Sequence, residues 1–197
     1  MDIVFATNNK HKLEEVQHLI NNKIQLLSLN DIGCNEEIPE DYETLHENAL
    51  QKARYVSQKY SVNCFADDTG LEIDALNGEP GVYSARYAGE SKSFDDNMNK
   101  VLSKMTGVKE RTARFKTVIA LILNGVEYFF EGVIEGEILT EKYGIEGFGY
   151  DPIFKPLGFN QSFAQMSLEQ KNKISHRAIA SQKLADFLIN FKQKQNN

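Results

Sequence analysis

The chain is short of cysteine, of positive charge and of long apolar runs, and each shortage excludes a class of protein. Its 197 residues include two cysteines, Cys34 and Cys64, too few and too far apart in sequence for a disulfide framework or a zinc site. They read as buried thiols of a protein kept in a reducing compartment. No stretch reaches the roughly 18 apolar residues of a membrane span; the longest evident run is Val118 to Leu123. The N-terminus opens on Asp2 rather than on a basic region with an apolar segment behind it. No targeting peptide is therefore expected, and the protein reads as cytoplasmic. Lys and Arg number 22 against 28 Asp and Glu, a net charge of −6. Such a chain does not grip nucleic acid through its overall field, so any polyanionic ligand has to be met by a local cluster of cations.

What the chain does have is an ordinary supply of core residues, 41% hydrophobic, with no internal repeat or long linker. A chain of this size buries roughly 70% of its unfolded surface, so one domain over 1–197 is expected. Asp2 to Ala6 reads as a short buried strand, followed by polar Thr7 to Lys12 and a helix with apolar positions Leu13, Val16, Leu19 and Ile20. A strand at Gln25 to Leu29 precedes an acidic, irregular segment, Asn30 to Glu43. Thr44-Leu-His-Glu47 has the capping-box pattern, ahead of a helix striped by Leu45, Ala49, Ala53, Val56 and Tyr60. Cys64 to Ala66 reads as a strand that stops at Asp67, with a polar tight turn before a second strand through Leu71 and Ile73. Asn77 to Gly81 is dense in turn formers and leads into a structured loop, and Ser93 opens a helix reaching Met105. Thr112 to Leu123 and Glu127 to Thr140 form a hairpin about Asn124-Gly125. A glycine-rich loop, Gly144 to Asp151, a second capping box at Ser167 to Gln170 and a final helix complete the chain. The fold class is α/β, with a mixed rather than purely parallel sheet.

Four polar constellations lie in turns beside these elements, where functional side chains tend to be displayed. Thr7-Asn-Asn-Lys-His-Lys12 surrounds a helix N-terminus whose first-turn N–H groups are expected to be unpaired. It reads as a phosphate site or as a solvated cap, and it lacks the glycines of a P-loop. Asp67-Asp68 follows a buried strand; neighbouring carboxylates repel, which a bound magnesium ion would offset, although acidic turns are common. Glu36, Glu37 and Glu40 lie in the acidic segment and could add a ligand or form a surface run. Phe148-Gly-Tyr-Asp151 offers aromatic faces for a nucleobase and a carboxylate for its N–H groups, or else anchors its loop in the core. Lys171 and Arg177 would be about 240° apart on one continuous helix, so they could meet only if the helix breaks. Ser175 suits the N-cap of the last helix, placing His176 and Arg177 in its first turn, where cations oppose the helix dipole unless a ligand compensates.

Taken in order, Thr7-Asn-Asn-x-x-Lys12, Ala66-Asp-Asp-Thr-Gly70, Gly81-Val-Tyr-Ser-Ala-Arg86, Gly147-Phe-Gly-Tyr-Asp-Pro152 and Lys171-Asn-x-x-Ser-His-Arg177 resemble the inosine triphosphate pyrophosphatase family, from Met1 to about Phe191. The resemblance implies a long mixed sheet flanked by helices, two lobes around a central cleft, and a homodimer. It implies magnesium-dependent hydrolysis of deaminated purine nucleoside triphosphates (ITP, dITP, XTP) to monophosphate and pyrophosphate, which clears such bases from the nucleotide pool. No nucleic acid or membrane partner is implied. Carried over by residue, Thr7, Asn8, Asn9, Lys10, His11 and Lys12 hold the triphosphate, with Lys12 the main cation. Asp68 becomes the proton acceptor and a metal ligand beside Asp67, and Thr69 touches substrate. Phe148, Gly149, Tyr150 and Asp151 form the base pocket, closed by Lys171, His176 and Arg177. The metal-binding glutamate is Glu40, with Glu36 and Glu37 as alternatives. A donor such as Arg177 or His176 aimed at O6 would favour 6-oxo over 6-amino purines. The competing readings are a phosphatase with an aspartyl nucleophile, which lacks the usual Asp-x-Asp spacing, and a non-catalytic nucleotide-binding module.

Overall fold

A computed structural model describes residues 2–20 and 24–195; the side chains of Leu19 and Ile20, expected on the first helix's apolar face, lie outside the described residues. Seven strands form one sheet: β1 (Asp2–Phe5), β2 (Gln25–Leu27), β3 (Cys64–Ile73), β4 (Pro80–Gly81), β5 (Thr112–Leu123), β6 (Val126–Ile138) and β7 (Phe154–Pro156). Their order is β2-β1-β3-β5-β6-β7, with β4 beside β3. β1 runs parallel to β2 and β3, while β4 and β7 are antiparallel to β3 and β6, so the sheet is mixed as expected. The helices are α1 (Lys10–Ile20), α2 (Leu45–Tyr60), α3 (Phe94–Lys104), α4 (Leu168–Ile174) and α5 (His176–Gln195). Among the described residues no helix is long and apolar enough to cross a membrane.

The chain forms two compact units from separated stretches. The first comprises Met1–Asp68, Thr117–Gly132 and Arg177–Asn197, the second Thr69–Lys116 and Val133–His176. β3, β5 and β6 each contribute residues to both. In the first unit Ile3, Phe5, Val16, Phe65, Ile119, Leu121, Leu184 and Leu188 form the core, with the Phe5 and Phe65 rings stacked at 4.5 Å. In the second, Leu71, Ile73, Met98, Phe115, Tyr150, Phe154 and Phe163 do so, and Phe115 meets Phe154 edge-on at 4.6 Å. Strand runs such as Val118 to Leu123 read as continuously apolar because they are buried on both faces.

Local chemistry accounts for the element ends. Thr44 caps α2, its hydroxyl accepting from the Glu47 N–H at 3.2 Å and donating to the Glu47 carboxylate at 2.7 Å. Ser167 and Gln170 complete both arms of a capping box at α4. Asn124 and Gly125 supply the two positive φ angles, 52° and 79°, that a tight hairpin turn needs. β2 is shorter than its apolar run, because the Ser28 N–H and hydroxyl both donate to Asp31 at 2.7 Å and turn the backbone out of the strand.

The structure corrects the reading of Asp67 to Gly70. β3 is one ten-residue strand that carries straight through the acidic pair, with no tight turn. Asp67 and Asp68 are 2% and 8% exposed, and the strand tolerates them because each finds a buried cation. Gly70 is required within this strand: a Cβ there would lie 2.7 Å from the Gly81 carbonyl oxygen.

Candidate active site

A strand sends successive side chains to opposite faces. Asp67 and Asp68 are thereby separated, which removes much of the repulsion that adjacency suggests. In the first unit, Asp67 receives Lys12 Nζ on Oδ1 at 2.9 Å and Arg177 Nε on Oδ2 at 3.3 Å. Asp68 Oδ1 lies 3.4 Å from Lys52 Nζ, which also donates to Glu40. The buried Oδ2 of Asp68 has no hydrogen-bond partner among the described residues. Three cations thus face three carboxylates. The local excess of positive charge expected around a polyanion is absent, because each cation is engaged by an acid.

This pairing pushes the two aspartates apart in acidity. Burial alone would raise Asp67, but Lys12, Arg177 and Lys52 together hold its carboxyl well below the usual range. Burial pushes the Asp68 carboxyl above that range; Lys52 pulls the other way, and Glu40 and Asp67 support the rise. Burial likewise works against the charge of Glu40, yet Lys52 keeps it below its ordinary value. Lys52 is raised despite its burial because Asp68, Glu40 and Asp67 surround it. Lys12 is lowered, chiefly by burial. Two neighbouring carboxyls pushed in opposite directions are a pattern that acid–base sites share with structural ion-pair networks.

The Thr7 to Lys12 turn is built differently from the expectation. α1 begins at Lys10, and Asn9 Oδ1 accepts from the N–H groups of His11 at 3.0 Å and Lys12 at 3.3 Å. These first-turn donors are therefore already engaged. Thr7 Oγ1 in turn accepts from the Asn9 N–H at 3.1 Å. Asn8, Lys10 and His11 are exposed, while Lys12 reaches inward to Asp67.

The second unit carries an aromatic site. Lys171, 3% exposed, places Nζ 2.8 Å from Asp151 Oδ2, 4.8 Å from the centre of the Phe148 ring and 5.7 Å from that of Phe163. Asp151 also accepts from the Phe148 N–H at 2.9 Å, so the carboxylate shapes the loop as it holds the lysine. Gly147 has φ +75°, and a Cβ there would lie 2.1 Å from Asp151 Oδ2. Phe148 and Gly149 are half-buried. Tyr150 is a core residue whose hydroxyl donates to the Ser84 carbonyl at 2.8 Å. His176 is buried, its ring stacked on Phe115 at 4.6 Å. Thr69 is half-buried on β3. Ser175 takes an extended ψ of 153°, ending α4 and preceding α5, so Lys171 and Arg177 do not lie on one continuous helix.

The residue that sequence reasoning missed is Lys52. Its signal was a lysine on the buried stripe of α2, among Leu45, Ala49, Ala53 and Val56, where an unpaired ammonium would be costly. Of the acidic-segment candidates, Glu40 shares Lys52 with Asp68. Glu36 is taken by Lys59 at 2.5 Å and Tyr60 at 3.0 Å, and the Lys59 ammonium lowers its carboxyl to about 2. Glu37 is exposed.

Among the described residues no group of three or more His, Cys, Asp or Glu side chains stands together as a metal cage. Magnesium does not need one, since it keeps several waters and takes one or two carboxylates together with substrate phosphates. The partnerless Asp68 Oδ2, with Glu40 on the same lysine, fits that demand. Asp67 has both oxygens engaged by cations.

The chain matches the family model described as the Ham1 family over residues 3–187. It is 57% identical to the dITP/XTP pyrophosphatase of Flavobacterium johnsoniae, over 95% of this chain and 98% of that one. It is 53% identical to the dITP/XTP pyrophosphatase of Porphyromonas gingivalis, over 95% and 97%. Among solved structures it is similar to the Staphylococcus aureus Ham1 protein, with a TM-score of 0.88, 39% identity and coverage of 96% of this chain and 99% of that one. The HAM1 protein from Coxiella burnetii gives a TM-score of 0.89 at 37% identity, with the same coverage.

Proposed function

The chain belongs to the Ham1 family, and from that premise we propose that it hydrolyses deaminated purine nucleoside triphosphates, ITP, dITP and XTP, to the monophosphate and pyrophosphate. It is an enzyme, a nucleoside triphosphate pyrophosphatase, as its relatives of more than half identity are. The reading also carries removal of such nucleotides from the cellular pool, a cytoplasmic location and a homodimer, which the family resemblance supports. The observation that carries the chemistry is Asp68, a buried carboxylate with a raised proton affinity and one oxygen without a partner among the described residues.

Cleaving the α–β phosphoanhydride requires a water to lose its proton as it attacks and the departing phosphates to be met by cations. Asp68 Oδ2 accepts that proton; a carboxylate of raised pKa is the better base. Lys52, held 3.4 Å from Asp68 Oδ1, offsets part of the cost that burial places on the ionised base. Lys12 meets the phosphates from the first helical turn, and the Thr7, Asn8, Lys10 and His11 groups of the same turn add donors. Asp67 fixes Lys12 and Arg177 in place, each through its own oxygen. Asp68 and Glu40 would hold magnesium, which supplies neutralisation of phosphate charge when bound. In the second unit Phe148 offers its face to the purine, and the Lys171–Asp151 pair offers a donor and an acceptor to the ring edge.

The test is a panel of nucleotides assayed for pyrophosphate with magnesium and with EDTA. ITP, dITP and XTP should yield pyrophosphate and a monophosphate far faster than ATP or GTP, and EDTA should abolish turnover. Release of orthophosphate without pyrophosphate would refute the reaction.

A further inference from the structure

Asn172 has no place in the chemistry above, although it stands inside the Lys171 to Arg177 motif. It and Lys171 are the two buried residues of α4, and Asn172 is 8% exposed. Both its amide nitrogen and its carbonyl oxygen are shielded and have no hydrogen-bond partner among the described residues. A carboxamide carries two donors and two acceptor sites, and buried polar groups in native proteins are nearly always satisfied. Asparagine is also a poorer helix former than leucine, so neither helix stability nor burial favours it here. It neither caps the helix nor bonds to the chain, which removes the usual structural reasons for an asparagine. Among the described residues nothing satisfies it, which leaves water or a ligand as its partner.

Its neighbour indicates the kind of partner. Lys171, the adjoining buried residue of α4, holds Asp151 at 2.8 Å and lies 4.8 Å from the centre of the Phe148 ring, the groups assigned to the purine. Resting on that assignment, we propose that Asn172 is a base-binding residue, its carboxamide taking the lactam edge of a deaminated purine. The amide N–H donates to the C6 carbonyl while N1–H of the base donates to the amide oxygen. Carboxamides pair with nucleobase edges in this two-bond manner because both present a donor and an acceptor side by side. Lysine cannot do this, having donors only.

The experiment is calorimetric binding of inosine 5′-monophosphate and of purine riboside 5′-monophosphate, which lacks the 6-oxo group and N1–H, to the full chain and to Asn172→Leu and Asn172→Ala. Neither measurement requires turnover. The parent should prefer the inosine nucleotide by roughly 10- to 100-fold, as two hydrogen bonds warrant. Asn172→Leu should lose that preference while keeping its affinity for purine riboside and melting no lower than the parent. If Asn172→Leu does not fold, Asn172→Ala should show the same loss of preference. A preference unchanged in the variants, the result expected if water alone satisfies the amide, would overturn the assignment, as would an equal loss for both nucleotides. A parent that binds inosine nucleotide with this preference but does not hydrolyse ITP would sink the hydrolase reading and leave Asn172 standing. A parent that binds neither would overturn the assignment of Asn172, while the hydrolase reading is decided separately by pyrophosphate release from ITP.

Discussion

The first unit gathers its functional groups as charges, the second as rings. Lys12, Lys52 and Arg177 are balanced against Glu40, Asp67 and Asp68. Lys171 has one carboxylate, Asp151, and two aromatic faces, Phe148 and Phe163. Each set suits a different one of the chemistries proposed above. A triphosphate is recognised by groups that exchange one anion for another, so a balanced ion network can open its cations to phosphate without leaving them bare. A purine is recognised by a face and an edge, which require few charges and close packing. Substitutions should therefore separate by unit: those in the first disturb turnover and stability, those in the second disturb affinity.

The largest effect is expected at Asp68. Asp68→Asn is nearly isosteric and removes only the charge and the base, so kcat for ITP should fall by about 10²- to 10⁴-fold, the usual worth of a positioned base. The circular dichroism spectrum should match the parent's. Activity within a few-fold of the parent would move the base elsewhere.

Asp67→Asn comes next and acts by another route. It leaves the buried Arg177 and the half-buried Lys12 without their carboxylate, and removing one partner of a buried pair costs about 3–5 kcal/mol. In a domain of this size that lowers Tm by roughly 10 °C. Asp151→Asn should lower it less, because Lys171 keeps the faces of Phe148 and Phe163. Equal losses in the two variants, read by thermal denaturation, would erase the distinction between a charge-built and a ring-built site.

How much of this was legible in the sequence follows the same division. Periodicity located α2, the Asn124-Gly125 hairpin and the helix caps, since these rest on local chemistry. The ordered motifs include Asp68, Lys12, Asp151 and Lys171, each of which the structure holds in an ion pair. What did not show was whatever depends on partners distant in sequence. Asp67-Asp68 reads as a turn because paired acids usually seek water; Lys12 and Arg177, 55 and 110 residues from Asp67, and Lys52 beside Asp68 make a buried strand tolerable. Lys52 was hidden for the same reason, its justification being Glu40 and Asp68 rather than its own helix. In the Thr7 to Lys12 turn, Asn9 satisfies locally the His11 and Lys12 N–H groups that were expected to be unpaired, so that turn's structure rests on a partner close in sequence.

A smaller effect is expected from Phe148→Leu. The loop keeps its shape, since Asp151 accepts from the backbone N–H of position 148 rather than from the side chain. What is lost is the ring face toward base and lysine, worth about 0.5–1.5 kcal/mol, so KM for ITP should rise by at most about tenfold with kcat nearly unchanged. A fall in kcat with KM constant would place Phe148 in the chemistry and blur the comparison between units.

The smallest effect is a difference of slopes with pH, measured in EDTA so that no divalent cation contributes. Asp68 has a folded pKa above its unfolded value, so the folded chain holds that proton more tightly, and its contribution to stability is lost as pH rises through the folded pKa. Asp67 is depressed, so its contribution is present above the ordinary carboxylate range and lost only as pH falls into strong acid. Asp68→Asn abolishes the first dependence and leaves the second. The Tm of Asp68→Asn minus that of the parent should thus be near zero below roughly pH 4, where both side chains are neutral, and positive at neutral pH. Each kcal/mol reads as roughly 2–4 °C in a domain of this size. A negative difference at neutral pH would mean that the Asp68–Lys52 attraction outweighs the burial of the carboxylate, making Asp68 a structural ion pair of the same kind as Asp67.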